Sequence, residues 1–341
     1  MGTRLDDGSI VRLYAAIVGE IGASRYDRTD GWLRRYNGKL SDPVTARRYL
    51  RSIRNTIRLP DRALEGKHIL DMGCGFGLTM TTLAWLGAEH VEGIDMFDKM
   101  VDTVAAYLQD VPNGDRVRVR VARADALPYD DGAFDLVLTM EALSHFLNPE
   151  ACVAEAYRVL KPGGVYVVTD DNNGANPSVV RENQEVWDRF ELGPPTNDIH
   201  GHRVLEPYVE KRKRLIRQEF PGLDHEVVAM LAENTAFMVR DQIIAAVERY
   251  QADGRMPASR YEPGRCPVEP EEGQYIENLI NPLELKKQME RLGFDVRLEA
   301  YFGGASRGGI LKMANDMLNQ VFPTRALLRV SPGFRIWATK R

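Results

Sequence analysis

The run Ile69-Leu70-Asp71-Met72-Gly73-Cys74-Gly75-Phe76-Gly77 decides the fold. His68 to Asp71 reads as a short buried strand. The glycines that follow at alternate positions lead into Leu78, Leu83 and Leu86, the buried side of a helix that Gly87 closes. Glycine permits positive φ and close backbone approach, so a strand, glycine turn and helix in this order can seat a nucleotide against the helix start. A dinucleotide fingerprint wants Gly or Ala where Leu78 stands, which counts against a nicotinamide oxidoreductase. No G-x-x-x-x-G-K-[ST] run occurs, which counts against a nucleotide triphosphatase. Taken alone, the three glycines also fit a tight turn in any α/β domain.

Working outward, a second strand runs from His90 to Asp95, and Phe97, Met100, Val101, Val104, Ala105 and Leu108 recur on one helix face. Val117, Val119 and Val121 alternate as a third strand, Phe134 to Met140 is a fourth, and Val165 to Thr169 a fifth after the turn Lys161-Pro162-Gly163-Gly164. Strands alternating with helices predict an α/β, doubly wound, mostly parallel sheet. Asn281, Pro282 and Glu284 form an N-cap, N1 and N3 signal for a helix that Gly293 ends, and Phe294 to Ala300 and Phe334 to Thr339 read as a final strand pair. Residues 10 to 60 read as helical, with Trp32, Tyr36, Tyr49, Ile53 and Ile57 buried or facing a cleft. The expected domains are an N-terminal helical cap at 1–62, a core at 63–171 and 281–341, and a mostly helical lid at 172–280. That lid is placed above the sheet's carboxyl edge, where open α/β folds bind ligands.

Of 341 residues, 44% are hydrophobic, enough for a sizeable core. The 45 Lys and Arg against 49 Asp and Glu leave a net charge of −4, so no positive field favours a nucleic acid partner. Cys74, Cys152 and Cys266 are too widely spaced for a zinc site or a disulfide framework, pointing to a reducing, cytoplasmic compartment. No signal-peptide core and no long apolar run are present, so stable membrane insertion is not expected.

Asp71-Met72-Gly73-Cys74-Gly75-Phe76-Gly77 resembles the first motif of class I S-adenosylmethionine-dependent methyltransferases of the small-molecule type. The resemblance continues in order along the chain. Asp95 stands where that family accepts both ribose hydroxyls, a task that suits a carboxylate because it offers two acceptors. Asp125, in Ala124-Asp125-Ala126-Leu127-Pro128, resembles the acceptor for the adenine amino group. Phe134 to Leu138 and Arg158 to Gly164 resemble the fourth strand and the turn before the fifth. The match is close over residues 65 to 170 and looser over 281 to 341. It implies a Rossmann-like sheet of seven strands whose last pair is antiparallel, with S-adenosylmethionine as cofactor. The cofactor residues it implies are Asp71, Gly73, Cys74, Gly75, Gly77, Asp95 with Met96, Asp125 with Ala126, and Met140.

Methyl transfer from a sulfonium is a direct displacement, so the protein must align the reacting atoms and exclude water. A hydroxyl or carbon acid must also lose a proton, which calls for a base. His145, just past the fourth strand, is the first candidate, because imidazole titrates near neutral pH; a structural hydrogen-bonding role competes. Glu141 is the second, or else orients the methionine amino group. Asp170, Asp171 and Asn172 suit acceptor contact, a divalent metal or a plain solvated loop, and the solvated loop is favoured. No metal is expected. His200 and His202 suit acceptor or lid contact, Tyr26, Trp32 and Tyr36 either cover the cofactor or pack the cap, and Lys211 to Arg214 reads as a solvated helix face. Cys74 reads as a small turn residue and not as a nucleophile. The expected function is methyl transfer to a small-molecule acceptor, with O-methylation ahead of C- and N-methylation, in specialised natural-product metabolism. Homo-oligomerisation stays open. The alternatives are a non-catalytic S-adenosylmethionine-binding regulatory subunit and a methyltransferase of lipids or saccharides.

Overall fold

The computed structural model describes residues 4–57, 64–303 and 309–341, so the edges of the expected cap at 1–3 and 58–62 lie outside the described residues. Strands β1 (His68–Met72), β2 (His90–Asp95), β3 (Val117–Val121), β4 (Phe134–Met140) and β5 (Leu160–Asp170) run parallel. With β8 (Phe294–Tyr301) and β9 (Gly333–Lys340) they form a seven-stranded sheet in the order β3-β2-β1-β4-β5-β9-β8, in which β9 is antiparallel to both neighbours. The central strands are buried on both faces, which is why Ile69, Leu70, Met72, Leu136, Val137 and Leu138 read as runs instead of alternating. β1 carries β2 on one side and β4 on the other, so the strand order reverses there. The crevice this reversal opens lies beyond the carboxyl ends of β1 and β4. β5 starts earlier than its apolar run: Leu160 pairs with Phe134, and the Lys161–Gly164 turn becomes a register shift, with Gly163 at φ 77°.

Helices α5 (Leu78–Trp85), α6 (Asp98–Leu108), α7 (Pro149–Val159) and α12 (Pro282–Leu292) flank the sheet. α12 starts as its sequence predicts: the Asn281 side chain accepts from the Leu283 and Glu284 N–H groups, and Gly293 ends the helix at φ 109°.

The N-terminal helices α1 (Asp7–Val18), α2 (Glu20–Tyr26), α3 (Trp32–Asn37) and α4 (Pro43–Ile57) are not a separate domain. Ile10, Tyr14, Ile17 and Ile53 share one core with Leu83, Trp85 and Tyr107. Tyr49 hydrogen-bonds Thr79 at 2.9 Å, and the Trp337 indole N–H of β9 donates to the Thr56 carbonyl at 2.7 Å. The described parts of Met1–Leu143, Asn148–Asn173 and Asn281–Arg341 thus form one compact unit. Tyr26 is buried edge-on against Tyr107, whereas Tyr36, expected to be buried or to face a cleft, is exposed beside Trp32.

A second unit comprises Ser144–Leu147 and Gly174–Ile280. It holds α8 (Pro177–Leu192), α9 (Tyr208–Glu219), α10 (His225–Asn234), α11 (Arg240–Asp253) and the hairpin of β6 (Thr196–Ile199) with β7 (His202–Val204). Its core gathers Leu215, Ile216, Val228, Leu231, Ile243 and Val247. The basic run on α9 is not the solvated face its composition suggests. Arg212 is buried, donating to Glu191 at 2.5 Å and to the Ala232 carbonyl at 2.7 Å. Lys211, Lys213 and Arg214 are each paired with carboxylates: Glu269, Glu210, and both Glu206 and Glu271.

Candidate active site

Beyond β1 the Gly73 and Cys74 N–H groups both donate to the Ile94 carbonyl at 2.9 Å, which draws the glycine turn onto the end of β2. Gly73, Gly75 and Gly77 all have positive φ, at 74°, 52° and 66°. The last two are glycine for different reasons. A Cβ on Gly77 would lie 2.6 Å from the Met80 methyl and 2.9 Å from the Tyr107 hydroxyl, so close packing excludes one. A Cβ on Gly75 would meet no protein atom within 4 Å, so its backbone faces open space that a ligand can use.

Asp95 braces this turn. Its carboxylate accepts from the Gly75 N–H at 2.8 Å and from the Phe97 N–H at 3.0 Å. Asp71, at the end of β1, is buried and receives no hydrogen bond to its side chain among the described residues. Its pKa is pushed up to about 7, by burial first and then by the charge of Asp95. Burial, reinforced by both aspartates, drives the Cys74 thiol well above its ordinary range, which removes the thiolate a nucleophile needs. Two interacting carboxyl groups thus stand beside the open glycine turn.

Asp125 follows β3, and Arg123 holds both its oxygens, at 2.9 and 2.7 Å, keeping its pKa below the usual carboxylate range. Its loop is clamped from α7. Glu155 accepts from the Leu127 N–H at 2.7 Å, and Arg158 donates to the carbonyls of Leu127 and Tyr129 at 3.1 and 2.7 Å. The Ala126 N–H closes a turn onto Arg123 at 3.3 Å. Sequence reasoning missed Arg123 as the partner of Asp125. The Arg-Ala-Asp spacing and the Glu155/Arg158 pair one helical turn apart were the available signals. Met96 is exposed after β2, and Met140 is half-buried at the end of β4.

Glu141 turns the chain at the end of β4 with φ 53°, a left-handed conformation that costs a side-chain-bearing residue about 1 kcal/mol. Its N–H donates to the Thr169 carbonyl at 2.8 Å, and its carboxyl accepts from the Asp171 N–H at 3.0 Å. Solvent reaches the residue, yet enclosure of the carboxyl, with Asp171 and Asp170 beside it, pushes its pKa up to about 8. The Asp-Asp-Asn-Asn run is not a solvated loop. Asp170 is buried and accepts from the Asn172 N–H, while the buried Asn173 amide donates to the carbonyls of Leu328 and Ser331 at 2.7 and 3.0 Å. Among the described residues no group of three or more His, Cys, Asp and Glu is arranged to hold a metal ion.

His145 belongs to the second unit, whose Tyr275 and Asn278 N–H groups donate to the carbonyls of His145 and Ser144. Its Nδ1 lies 3.2 Å from the Tyr275 carbonyl. A carbonyl only accepts, so the neutral ring carries its proton on Nδ1 and presents a lone pair at Nε2. His200 and His202 do not converge. The turn at His200-Gly201, with φ 50° and 85°, sends His200 to Glu185 at 2.7 Å and leaves His202 4.0 Å from Glu277 and edge-on to Phe190.

Residues 70–168 match the family model described as a methyltransferase domain. The chain is 34% identical over 113 residues to a ubiquinone biosynthesis O-methyltransferase of Maricaulis maris, covering 33% of this chain and 43% of that one. It is 39% identical over 123 residues to the 27-O-demethylrifamycin SV methyltransferase of Amycolatopsis mediterranei, covering 34% and 44%. It is 30% identical over 178 residues to the sterol 4-C-methyltransferase strm-1 of Caenorhabditis elegans, covering 51% and 50%. The chain spans about half or less of the length of each of these relatives. Residues 70–168 thus carry a methyltransferase domain, on a sheet whose motif and strand order resemble those of class I, S-adenosylmethionine-dependent methyltransferases.

Proposed function

We propose that this protein transfers a methyl group from S-adenosylmethionine to a small-molecule acceptor, at oxygen before carbon or nitrogen, within a biosynthetic pathway of specialised metabolism. The observation that carries the reading is the open Gly75 backbone, held by the Asp95 carboxylate and with the buried Asp71 close by: acidic groups beside an open glycine turn suit a ligand bearing a sulfonium and an ammonium group. S-adenosylmethionine supplies the electrophilic methyl group when bound. Asp95 and Asp125 serve as its polar acceptors, Gly73, Cys74, Gly75 and Gly77 as the backbone cradle, and Met96, Ala126 and Met140 as its flanking contacts.

Removal of the acceptor's proton falls to His145, whose Nδ1–H bond to Tyr275 fixes the tautomer that leaves Nε2 basic. Glu141 is the second candidate: burial, with Asp171 and Asp170 beside it, raises its pKa and favours the neutral carboxyl, which acts as a polar anchor. The segment 172–280 contributes acceptor contacts. The O-methyltransferase relative and the sterol C-methyltransferase relative both favour a small acceptor over a macromolecule.

The test is incubation with methyl-labelled S-adenosylmethionine and extract separated into metabolite, nucleic-acid and protein fractions. Label in a metabolite is the expected result. Label in a macromolecule overturns the acceptor class, and binding without transfer to any fraction points to the regulatory alternative.

A further inference from the structure

Helix α13 (Gly309–Val321) lies with its polar side toward the protein and its apolar side toward solvent. The Asn319 amide accepts from the Ala300 N–H and donates to the Ala300 carbonyl, both at 2.9 Å, and Asn315 accepts from the Phe302 N–H at 3.1 Å. β8 is the outer strand of the sheet, so these amides substitute for a further strand along part of its free edge. On the same side Lys312 pairs with Asp316 at 2.6 Å, and both line a polar cavity of about 410 Å³ with Arg54, Arg297, Asn319 and Gln320.

The outward face is the reverse of what a soluble helix presents. Ile310, Met313, Met317 and Val321 recur at helical spacing as one stripe, and Phe322 and Val330, after it in the chain, are exposed as well; these six side chains are between 51% and 83% exposed. Exposed arginines follow the stripe in the chain. Arg325, on the short helix α14 (Thr324–Leu328), and Arg329 are exposed and have no acidic partner among the described residues. Asp316, the one acid between 309 and 330, is tied to Lys312. Among the described residues no helix is long and apolar enough to cross a membrane.

We propose that this face docks on an anionic lipid surface, with the stripe from Ile310 to Phe322 entering the headgroup boundary and Arg325 and Arg329 meeting lipid phosphates. Apolar side chains flanked by unpaired cations are what an interfacial helix presents to a bilayer. A second copy suits the face less well, since the margin offers two exposed arginines while its one acid, Asp316, is tied to Lys312. The inference is independent of the methyl-transfer reading.

Vesicle sedimentation with the full chain tests it, using phosphatidylglycerol mixed with phosphatidylcholine and phosphatidylcholine alone. An arginine near an anionic surface is worth about 1 kcal/mol, or roughly fivefold, so the double substitution Arg325→Gln and Arg329→Gln is expected to lower partitioning about 30-fold on the mixed vesicles. Met313→Glu with Met317→Glu is expected to abolish it. Both variants alter exposed side chains and should keep the wild-type circular dichroism spectrum and Tm. The proposal is overturned if the wild type stays in the supernatant with mixed vesicles, or if neither double variant changes binding. It is also overturned if sedimentation velocity shows a dimer that Met313→Glu with Met317→Glu dissociates, which would assign the face to a second copy.

Discussion

Asp71→Asn removes one of two mutually repelling carboxyl groups, and its effect on stability has a definite pH signature. The Asp71 pKa rises from 3.8 to about 7 in the fold, through burial and then through Asp95. At about 1.4 kcal/mol per pH unit this gives an upper bound of ~4 kcal/mol. A carboxyl with a raised folded pKa holds its proton longer in the native state, so stability falls as pH climbs from about 4 to about 7 and is level above that. Below pH 4 the group is protonated in both states and contributes nothing. The asparagine variant lacks this loss. Measured by urea denaturation without ligand, its stability relative to wild type should therefore rise between pH 4.5 and pH 7.5 by a few kcal/mol. A constant difference across that range, of either sign, would refute the assignment of a raised Asp71 pKa.

Asp95→Ala removes charge-assisted acceptors for the Gly75 and Phe97 N–H groups and should weaken S-adenosylmethionine binding by at least about tenfold in calorimetry; full affinity would remove Asp95 from the cofactor site. His145→Ala should lower turnover by about 10²–10⁴-fold while sparing cofactor affinity, and unchanged turnover ends the base assignment. Arg123→Gln frees both oxygens of Asp125, and because an exposed ion pair is worth at most ~1 kcal/mol, affinity should rise by no more than about fivefold; a fall would mean that Arg123 itself contacts the ligand. Arg212→Leu strands Glu191 in the core of the second unit and should cost about 3–5 kcal/mol in a urea melt, most of it regained with Glu191→Leu.

The glycine turn and the alternation of strands with helices were legible because local chemistry writes them into the chain. Only glycine takes up the φ of 52° to 74° at alternate positions without strain, and strands buried on both faces need apolar runs. Asn281, Pro282 and Gly293 announce a helix because capping is settled within a few residues. Other properties depend on partners far along the chain. Arg212 reads as one of four solvated cations until Glu191 and the Ala232 carbonyl bury it, and Asn173 reads as loop until Leu328 and Ser331 claim its amide. The pKa of Asp71 follows from the neighbouring ends of β1 and β2, and that of Glu141 from β4 and β5. The 3.6-residue period of α13 marks an amphipathic helix but not which side faces inward. The unfilled edge of β8 decided that, because a strand's free N–H and carbonyl groups bind amides more strongly than methyl groups.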